Sequence, residues 1–329
     1  MWPFRATSQH FSPRSIASET KPASRPRQPV TYLTGSRADG TLACGGATIR
    51  TMMRAGVPSA MNLTELRSTL AELGLRPRRS WGQHFLVDHN ILRLVIEAAD
   101  VRADETVLEV GPGLGVLTEP LLERARHVIA IERDPRLAEY LRARFPSLEI
   151  IVGDAATVPL PAFDKLVANL PYQITTPLLE RVVESAAPPR CIVVMVQREV
   201  ADRLAAQPRT KEYGALTVLT QRRYDVEVVH GVSARCFYPP PAVDSAIVRL
   251  LRREPRTRLL ADAPFHEIVR AGFGHRRKML GKLLAPFGTI PASVARRRAE
   301  ELSLDEWIGL ANQLRPVGSA RAKCPTSGT

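Results

Sequence analysis

Residues 169–172, Asn-Leu-Pro-Tyr, are able to bind an exocyclic amine. They directly follow the apolar run 165–168. The side-chain oxygen of Asn169 and a backbone carbonyl can each accept one N–H bond of such an amine, and the ring of Tyr172 can stack on the base that carries it. The same residues also form an ordinary exit from a strand, in which proline ends the ladder. The tetrapeptide alone leaves both interpretations open.

A glycine-rich turn follows the β-branched run at residues 106–110. The turn Gly111–Gly115 reads G-x-G-x-G, and residues 116–124 after it have the apolar spacing of a helix. A strand, a glycine turn and a helix in this order are typical of a nucleotide-binding βα unit, because glycine lets the backbone turn sharply near a ligand. Val116 stands where a dinucleotide fingerprint would have its third glycine, which favours a smaller nucleoside ligand.

Two acidic residues follow the next two predicted strands. Glu132 ends the run 127–131, at the distance from the first glycine where an acid can hold ribose hydroxyls. Asp154 follows the run 148–152 and can accept a hydrogen bond from an adenine amino group. Either acid could simply be a solvated loop residue. Ligands of open α/β sheets, however, bind at the carboxyl ends of strands, and four strand ends carry suitable residues here.

Strand-like and helix-like runs alternate over residues 88–252, which predicts an α/β fold with a Rossmann-like, largely parallel sheet and helices on both faces. The run 191–196 adds a further buried strand, and 226–229 could pair with 245–251 as an antiparallel edge. A small helical domain is predicted beyond them, with Trp307 in its core. Its helical stretches are 265–270, 279–284, 294–302 and 305–314, with Ser303 and Asp305 near a helix start.

The chain resembles the rRNA adenine N6-dimethyltransferase family, and within it the bacterial small-subunit branch. The matching stretches, in family order, are Trp81–Leu86, Glu109–Gly115, Gly153–Ala155, Asn169–Tyr172, Gln197–Val200, Phe237–Ser245 and Phe273–Lys278. The resemblance implies an S-adenosylmethionine-dependent methyltransferase that dimethylates N6 of two adjacent adenines in the 3′-terminal hairpin of 16S rRNA. Since an adenine inside a helix cannot reach such a pocket, the target base must be splayed or flipped out.

The resemblance also implies a role for each matching site residue. The cofactor-binding residues are expected to be His84, Leu86, Gly111, Gly113, Glu132, Asp154 and Asn169. The target base is expected to be held by Asn169, the Pro171 carbonyl, the Tyr172 ring and Phe237 as a second stacking ring. His84 departs from the family, because many members have Asn there. Both side chains can donate a hydrogen bond, so we expect cofactor binding to survive.

A net charge of +13 and a pI near 10.2 are typical of a protein that docks on phosphate backbones. Basic residues inside the family-like stretches are the expected RNA contacts: Arg76, Arg78, Arg79, Arg276, Arg277 and Lys278. Further clusters at 252–258 and 296–298 are weaker candidates for RNA contact, with a solvated face as the alternative. We expect a monomer that acts in the cytoplasm on 16S rRNA within the 30S subunit or its precursor.

Resemblance and composition together suggest the domain boundaries. They are 1–60 for an N-terminal extension, 61–87 for a basic arm with a cofactor-contacting motif, 88–252 for the catalytic domain, 253–262 for a linker, 263–315 for a helical RNA-binding domain and 316–329 for a tail. The extension lacks hydrophobic periodicity, which is typical of disorder. Its Arg-rich, acid-poor composition also fits a transit peptide. We favour an over-extended gene model with Met61 as the start, and next a disordered bacterial arm.

The four cysteines form no C-x-x-C pair, which argues for a reducing compartment and against a zinc site. No apolar run approaches the length of a membrane span. Three rival functions remain: a 23S rRNA adenine methylase of the macrolide-resistance type, a non-catalytic assembly or transcription factor, and a nicotinamide dehydrogenase. Val116 disfavours the dehydrogenase, and intact Asn169 and Tyr172 speak against loss of catalysis.

Overall fold

A seven-stranded sheet lies at the centre of the computed structural model, which describes residues 61–254, 259–260 and 262–314 and the backbones of 43–44 and 47–48. The strands are β1 (Ala43–Cys44), β2 (Ala47–Thr48), β3 (Phe85–Leu86), β4 (Thr106–Val110), β5 (His127–Glu132), β6 (Glu149–Val152), β7 (Lys165–Asn169), β8 (Cys191–Gln197), β9 (Tyr224–Val232), β10 (Phe237–Tyr238) and β11 (Ser245–Arg252). The α-helices are α1 (Leu63–Glu72), α2 (His89–Ala99), α3 (Thr118–Leu122), α4 (Pro135–Arg144), α5 (Thr175–Val183), α6 (Arg198–Leu204), α7 (Ala215–Gln221), α8 (Asp262–Phe273), α9 (Leu280–Leu283), α10 (Ala292–Ala295) and α11 (Leu304–Gln313).

The central sheet has the order β6-β5-β4-β7-β8-β11-β9. Its first five strands are parallel, and β11 runs antiparallel to both of its neighbours, β8 and β9. The predicted antiparallel edge is confirmed, with Val226 opposite Leu250 and Val228 opposite Val248. The predicted α/β class with a Rossmann-like sheet is therefore confirmed. Because the parallel strands end at one edge, the residues that follow β4, β5, β6 and β7 lie close together.

Both faces of the parallel strands are buried, which explains why their sequences are almost continuously apolar. Alternate residues enter two different clusters: Leu108 and Ile129 pack on one side of the sheet, and Val107 and Val128 pack on the other. Full burial of such a side chain stabilises the fold by about 1.5–3 kcal/mol. The two clusters together hold the strand ends in a fixed register.

The N-terminal arm packs against the end of the sheet that carries the glycine turn. Asn62 caps α1, and its side chain accepts hydrogen bonds from Thr64 and Glu65 N–H. The buried side chains of the arm form a small apolar cluster with residues of the sheet layer: Leu66, Leu70, Leu75, Phe85, Leu114 and Leu137. Strand β3 then pairs with β10, which places Leu86 opposite Phe237.

The C-terminal helices form a third apolar cluster around Trp307, whose side chain is fully buried as predicted. Ser303 caps α11, also as predicted. The expected helical stretch 294–302 is broken, since α10 ends at Ala295 and only a short 3₁₀ turn follows at Ala299–Glu301. Arg297 explains the break: its carbonyl accepts the Leu280 N–H at 2.8 Å, and its guanidinium pairs with Glu306.

None of the helices in the described part of the chain has both the length and the apolarity that a bilayer crossing requires.

Candidate functional site

A pocket of about 950 Å³, part of it open to solvent, lies at the carboxyl edge of the parallel strands. The predicted site residues that line it are His84, Leu86, Gly111, Gly113, Glu132, Asp154, Asn169 and Pro171. The arm supplies the first two, and the ends of β4 to β7 supply the others. The structure thus brings together every residue expected to bind the cofactor. Tyr172 and Phe237 lie outside the lining of this pocket.

The glycine turn passes between the arm and residues 169–172. Gly111 and Gly113 have φ values of +69° and +60°, which side-chain-bearing residues rarely adopt. A Cβ on Gly113 would lie 3.0 Å from the Phe85 ring, and one on Gly111 would lie 3.4 Å from Pro171. The positive φ values at both positions, and the close approach of the Phe85 ring at Gly113, therefore favour glycine, and the turn exposes backbone to the pocket there.

Glu132 is 5% exposed and is held by backbone N–H groups of the turns around it. Its Oε2 accepts the Gly113 N–H at 3.2 Å, and its Oε1 accepts the Asp134 N–H at 2.9 Å. Burial raises the pKa of this carboxyl, and the backbone hydrogen bonds oppose that rise. The Arg133 N–H also hydrogen-bonds this carboxylate, which has about four acceptor sites, so Glu132 can still accept from a hydroxyl group.

Glu109 also lines the pocket, although no role was predicted for it from the sequence. It is 1% exposed, and Thr118 Oγ1 donates a hydrogen bond to its Oε2 at 2.7 Å. Burial raises the pKa of Glu109 to about 8, and the nearby charge of Glu132 adds to that rise. A carboxyl inside the apolar strand β4 was the signal that could have identified it, because parallel strands are otherwise apolar throughout.

Asp154 lies in the turn that follows β6. Its Oδ1 accepts the Ala156 N–H at 2.9 Å, and its Oδ2 lies 3.7 Å from Arg133 Nη1. The guanidinium of Arg133 also lies 4.8 Å from the ring centre of Trp81, and that of Arg78 lies 4.1 Å from it. Trp81 at the pocket rim is therefore held by two cation–π contacts.

Asn169 ends β7, and its side chain contacts the arm. Its Nδ2 donates to the backbone carbonyl of His84 at 2.8 Å. Since a carbonyl can only accept, this bond fixes which end of the amide faces the arm. No described residue donates to the Asn169 Oδ1 oxygen, which can accept a hydrogen bond from a ligand amine.

Tyr172 is half-buried and held at its ring and at its hydroxyl. Its ring stacks with that of His84, with centroids 5.4 Å apart and an angle of 28° between the planes. Its hydroxyl lies 2.7 Å from Ser245 Oγ. Burial raises the pKa of the Tyr172 hydroxyl. The phenol is therefore fixed and neutral in the physiological range.

The carbonyl of Pro171 does not fit its expected role as an acceptor for the target amine. It already accepts the Ile174 N–H and the Thr175 Oγ1 hydroxyl, both at 3.1 Å, which occupy its two lone pairs. The carbonyl of Leu170 receives no hydrogen bond from the described residues. It is the remaining backbone acceptor between Asn169 and Tyr172.

Phe237 also differs from expectation, because its ring is 3% exposed and packs in the apolar cluster beneath the sheet. The pairing of β10 with β3 carries it into this core beside Leu86. A base could stack on Phe237 only if the ring left that cluster.

The predicted RNA contacts fall into groups with different surroundings. Arg76 and Arg78 are exposed on the arm, and the Arg79 side chain lies outside what the structure describes. Arg276 Nε lies 3.0 Å from Glu300, and its guanidinium also donates to the carbonyls of residues 210 and 211. Arg277 and Lys278 are exposed, and no described residue pairs with them.

Residues 74–297 match the family model described as "Ribosomal RNA adenine dimethylase". Similar proteins named "Ribosomal RNA small subunit methyltransferase A" occur in Lactiplantibacillus plantarum and Myxococcus xanthus. The first is 40% identical over 281 residues, covering 77% of this chain and 95% of that protein. The second is 41% identical over 273 residues, covering 77% of this chain and 96% of that protein.

Two solved structures share the fold. A dimethyladenosine transferase from Plasmodium falciparum is 27% identical, with a TM-score of 0.61 over 69% of this chain and 96% of that one. The 23S rRNA methyltransferase ErmE is 31% identical, with a TM-score of 0.54 over 70% of this chain and 99% of that one.

Glu109→Gln should flatten the dependence of stability on pH. The folded pKa of Glu109, about 8, lies above its ordinary value of 4.5. Between these values the folded protein holds a proton that the unfolded chain has lost, so the free energy of unfolding falls as pH rises. Urea titrations should show wild type losing on the order of 3 kcal/mol more than the variant between pH 5 and pH 8. Equal losses in the two proteins would contradict the buried, protonated carboxyl.

Proposed function

Because this chain belongs to the ribosomal RNA adenine dimethylase family, we propose that it dimethylates N6 of two adjacent adenines in the 3′-terminal hairpin of 16S rRNA. It is an S-adenosylmethionine-dependent enzyme that acts on RNA. The observation that carries the proposal is the Asn169 amide, oriented by the His84 carbonyl in the pocket at the carboxyl edge of the parallel strands. We further propose that it acts in the cytoplasm as a monomer, on the 30S subunit or a precursor, with a role in subunit biogenesis.

The small-subunit substrate is favoured over 23S rRNA by the similarity values. The relatives named for the small subunit are 40% and 41% identical to this chain, whereas the 23S enzyme ErmE is 31% identical. A purely non-catalytic role is disfavoured because the pocket, Asn169 and Tyr172 are all intact.

The pocket residues suit S-adenosylmethionine. Glu132 keeps acceptor capacity for a ribose hydroxyl, Asp154 can accept from an adenine amino group, and Gly111 and Gly113 line the pocket with backbone alone. A positively charged ligand would favour the ionised forms of Glu109 and Glu132, the two buried acids whose pKa values burial raises. When bound, the cofactor supplies an electrophilic methyl group on a sulfonium sulfur.

Asn169 prepares the target amine as a nucleophile. Its Oδ1 accepts one N6–H bond of adenine, and we propose the Leu170 carbonyl for the other in place of Pro171. Two accepted N–H bonds orient the amine in the first transfer, and the single remaining N–H bond does so in the second; in each case they favour its rehybridisation as it attacks. The protein therefore contributes position and preorganised dipoles, which are the main sources of rate in such a displacement.

Tyr172 provides the stacking surface for a base that has left its helix. The hydrogen bond to Ser245 limits rotation of the ring, so the stacked base is presented in one plane. Phe237 would have to leave the core to become a second stacking ring, and our proposal does not depend on it.

The helical domain is proposed to carry part of the RNA-binding surface. Arg277 and Lys278 lie in the turn between α8 and α9 and are exposed there, together with the arm residues Arg76 and Arg78. Arg276, in contrast, ties this turn to Glu300 and to the loop at residues 210–211. We therefore assign phosphate contact to Arg277 and Lys278, and anchoring of the turn to Arg276.

Asp154→Ala should weaken binding of S-adenosylmethionine, because the adenine amino group would lose its acceptor. Such a loss costs about 1–3 kcal/mol, or roughly a tenfold to hundredfold change in affinity. Calorimetry measures it directly, with a melting curve to show that the variant is folded. Asp154→Asn keeps a carbonyl oxygen and should lose less. An Ala variant with wild-type affinity would remove Asp154 from the site.

Arg277→Ala combined with Lys278→Ala should reduce the slope of log K against log salt by about 2 for subunit binding, since each phosphate contact contributes close to one. Affinity for S-adenosylmethionine should stay unchanged. Arg276→Ala is the matched control and should lower the melting temperature while keeping the slope. A wild-type salt slope in the double variant would contradict phosphate contact by Arg277 and Lys278. An equal reduction of the slope in Arg276→Ala would contradict the anchoring role of Arg276.

Asn169→Ala should reduce N6 methylation by at least about a hundredfold, because the acceptor that positions the amine is lost. RNA binding should persist, since it rests on dispersed basic residues. The measurement is transfer of labelled methyl from S-adenosylmethionine to unmodified 30S subunits, with 23S rRNA as the parallel substrate. Wild type should label the small subunit. Label confined to 23S rRNA would overturn the proposed substrate, and an active Asn169→Ala enzyme would overturn the mechanism.

A further inference from the structure

His84 lines the cofactor pocket, yet its ring contacts a different part of the site. The imidazole stacks with the Tyr172 ring at a centroid distance of 5.4 Å and an angle of 28°, which is within the range of offset stacking. The family resemblance implied that His84 contacts the cofactor. The ring is instead engaged with the aromatic side chain that is proposed to carry the target base.

A second contact fixes the orientation of the imidazole. His84 Nδ1 lies 2.6 Å from the backbone carbonyl of Pro239. A carbonyl can only accept, so Nδ1 carries a proton and donates it. The ring is thus held between Pro239 at one edge and Tyr172 at one face, and it cannot turn away without losing both contacts.

The backbone of His84 contacts Asn169, the residue whose side chain is proposed to accept a hydrogen bond from the target amine. The His84 carbonyl accepts the Asn169 Nδ2 hydrogen bond at 2.8 Å. His84 therefore contacts Asn169 through its main chain and Tyr172 through its side chain. These two are the residues assigned to the amine and to the base.

We propose that His84 is a positioning residue for the target adenine, acting through Tyr172, and that its imidazole is not a ligand of the cofactor. The inference rests on the proposed function of Tyr172 as the stacking surface. A tyrosine ring has two faces, and His84 covers one, so the base takes the other in a continuous stack of imidazole, phenol and adenine. Ser245 holds the hydroxyl edge of the phenol, and His84 limits its tilt.

Loss of the His84 imidazole should therefore lower the rate of methylation without changing the affinity for the cofactor. Without the imidazole, the Tyr172 ring gains freedom to tilt, and the stacked base moves relative to the methyl donor. A misplacement of about 1 Å can cost on the order of a hundredfold in rate. A side chain that does not touch the cofactor should leave its dissociation constant unchanged.

The test compares His84→Ala, His84→Phe and His84→Asn in the full chain. Each variant is measured for S-adenosylmethionine affinity by calorimetry and for single-turnover methylation of unmodified 30S subunits at saturating cofactor. His84→Ala should slow methylation by about tenfold or more, with cofactor affinity within about threefold of wild type. His84→Phe keeps a stacking ring and should recover most of the rate. His84→Asn keeps a donor without a ring and should remain slow.

A double-variant cycle separates action through Tyr172 from an independent role. In a Tyr172→Ala background, His84→Ala should slow methylation by no more than about twofold, because the ring it supports is already gone. An equal further loss in that background would overturn the proposal.

Three other outcomes would each contradict the proposed role of His84. A tenfold weaker cofactor affinity in His84→Ala, with a normal single-turnover rate, would make His84 a cofactor ligand. Recovery by Asn and not by Phe would show that the donor matters and the stack does not. If wild type fails to methylate 30S subunits, the proposed function fails and this inference fails with it, a result distinct from the other two.

Discussion

The hydrogen bond from Asn169 to the His84 carbonyl joins the two parts of the molecule from which the site is built. Asn169 belongs to the central sheet, and His84 belongs to the arm that packs over its edge. The bond orients the Asn169 amide and at the same time sets the position of the arm above the glycine turn. Phe85, one residue further along the arm, then packs so closely on Gly113 that a Cβ there would lie 3.0 Å from its ring. The shape of the pocket and the direction of its amine acceptor thus depend on one contact.

The distribution of charge suits a protein with one cationic and one anionic ligand. The chain carries a net charge of +13, with exposed basic residues on the arm and in the turn between α8 and α9. The pocket, in contrast, contains the buried acids Glu109 and Glu132. A sulfonium cofactor favours the ionised forms of these buried acids, and a phosphate backbone disfavours them, because unlike charges attract and like charges repel. The cofactor is therefore directed to the pocket and the RNA backbone to the basic surface. Only the flipped base of the RNA needs to approach the pocket.

The sheet and most of the pocket could be predicted from sequence, because strand ends and glycine turns are local patterns whose meeting point is fixed by parallel topology. The failures have different causes. The Pro171 carbonyl is used locally, by Ile174 and Thr175 at the start of α5, whereas the burial of Phe237 follows from the pairing of β10 with the distant strand β3. Glu109 was overlooked because the run 106–110 was interpreted only as a β-strand, and its single carboxyl was given no separate role. The partner of the His84 ring could not be foreseen, because Tyr172 lies far from it in sequence.

The central claim is that this chain places two methyl groups on each of two adjacent adenines near the 3′ end of 16S rRNA. Mass spectrometry of the 3′-terminal fragment, cut from 16S rRNA after reaction of the purified protein with unmodified 30S subunits, tests it most directly. The fragment should gain the mass of four methyl groups, and its digestion should yield N6,N6-dimethyladenosine as the modified nucleoside. An unmodified fragment, with dimethyladenosine found in 23S rRNA instead, would contradict the account.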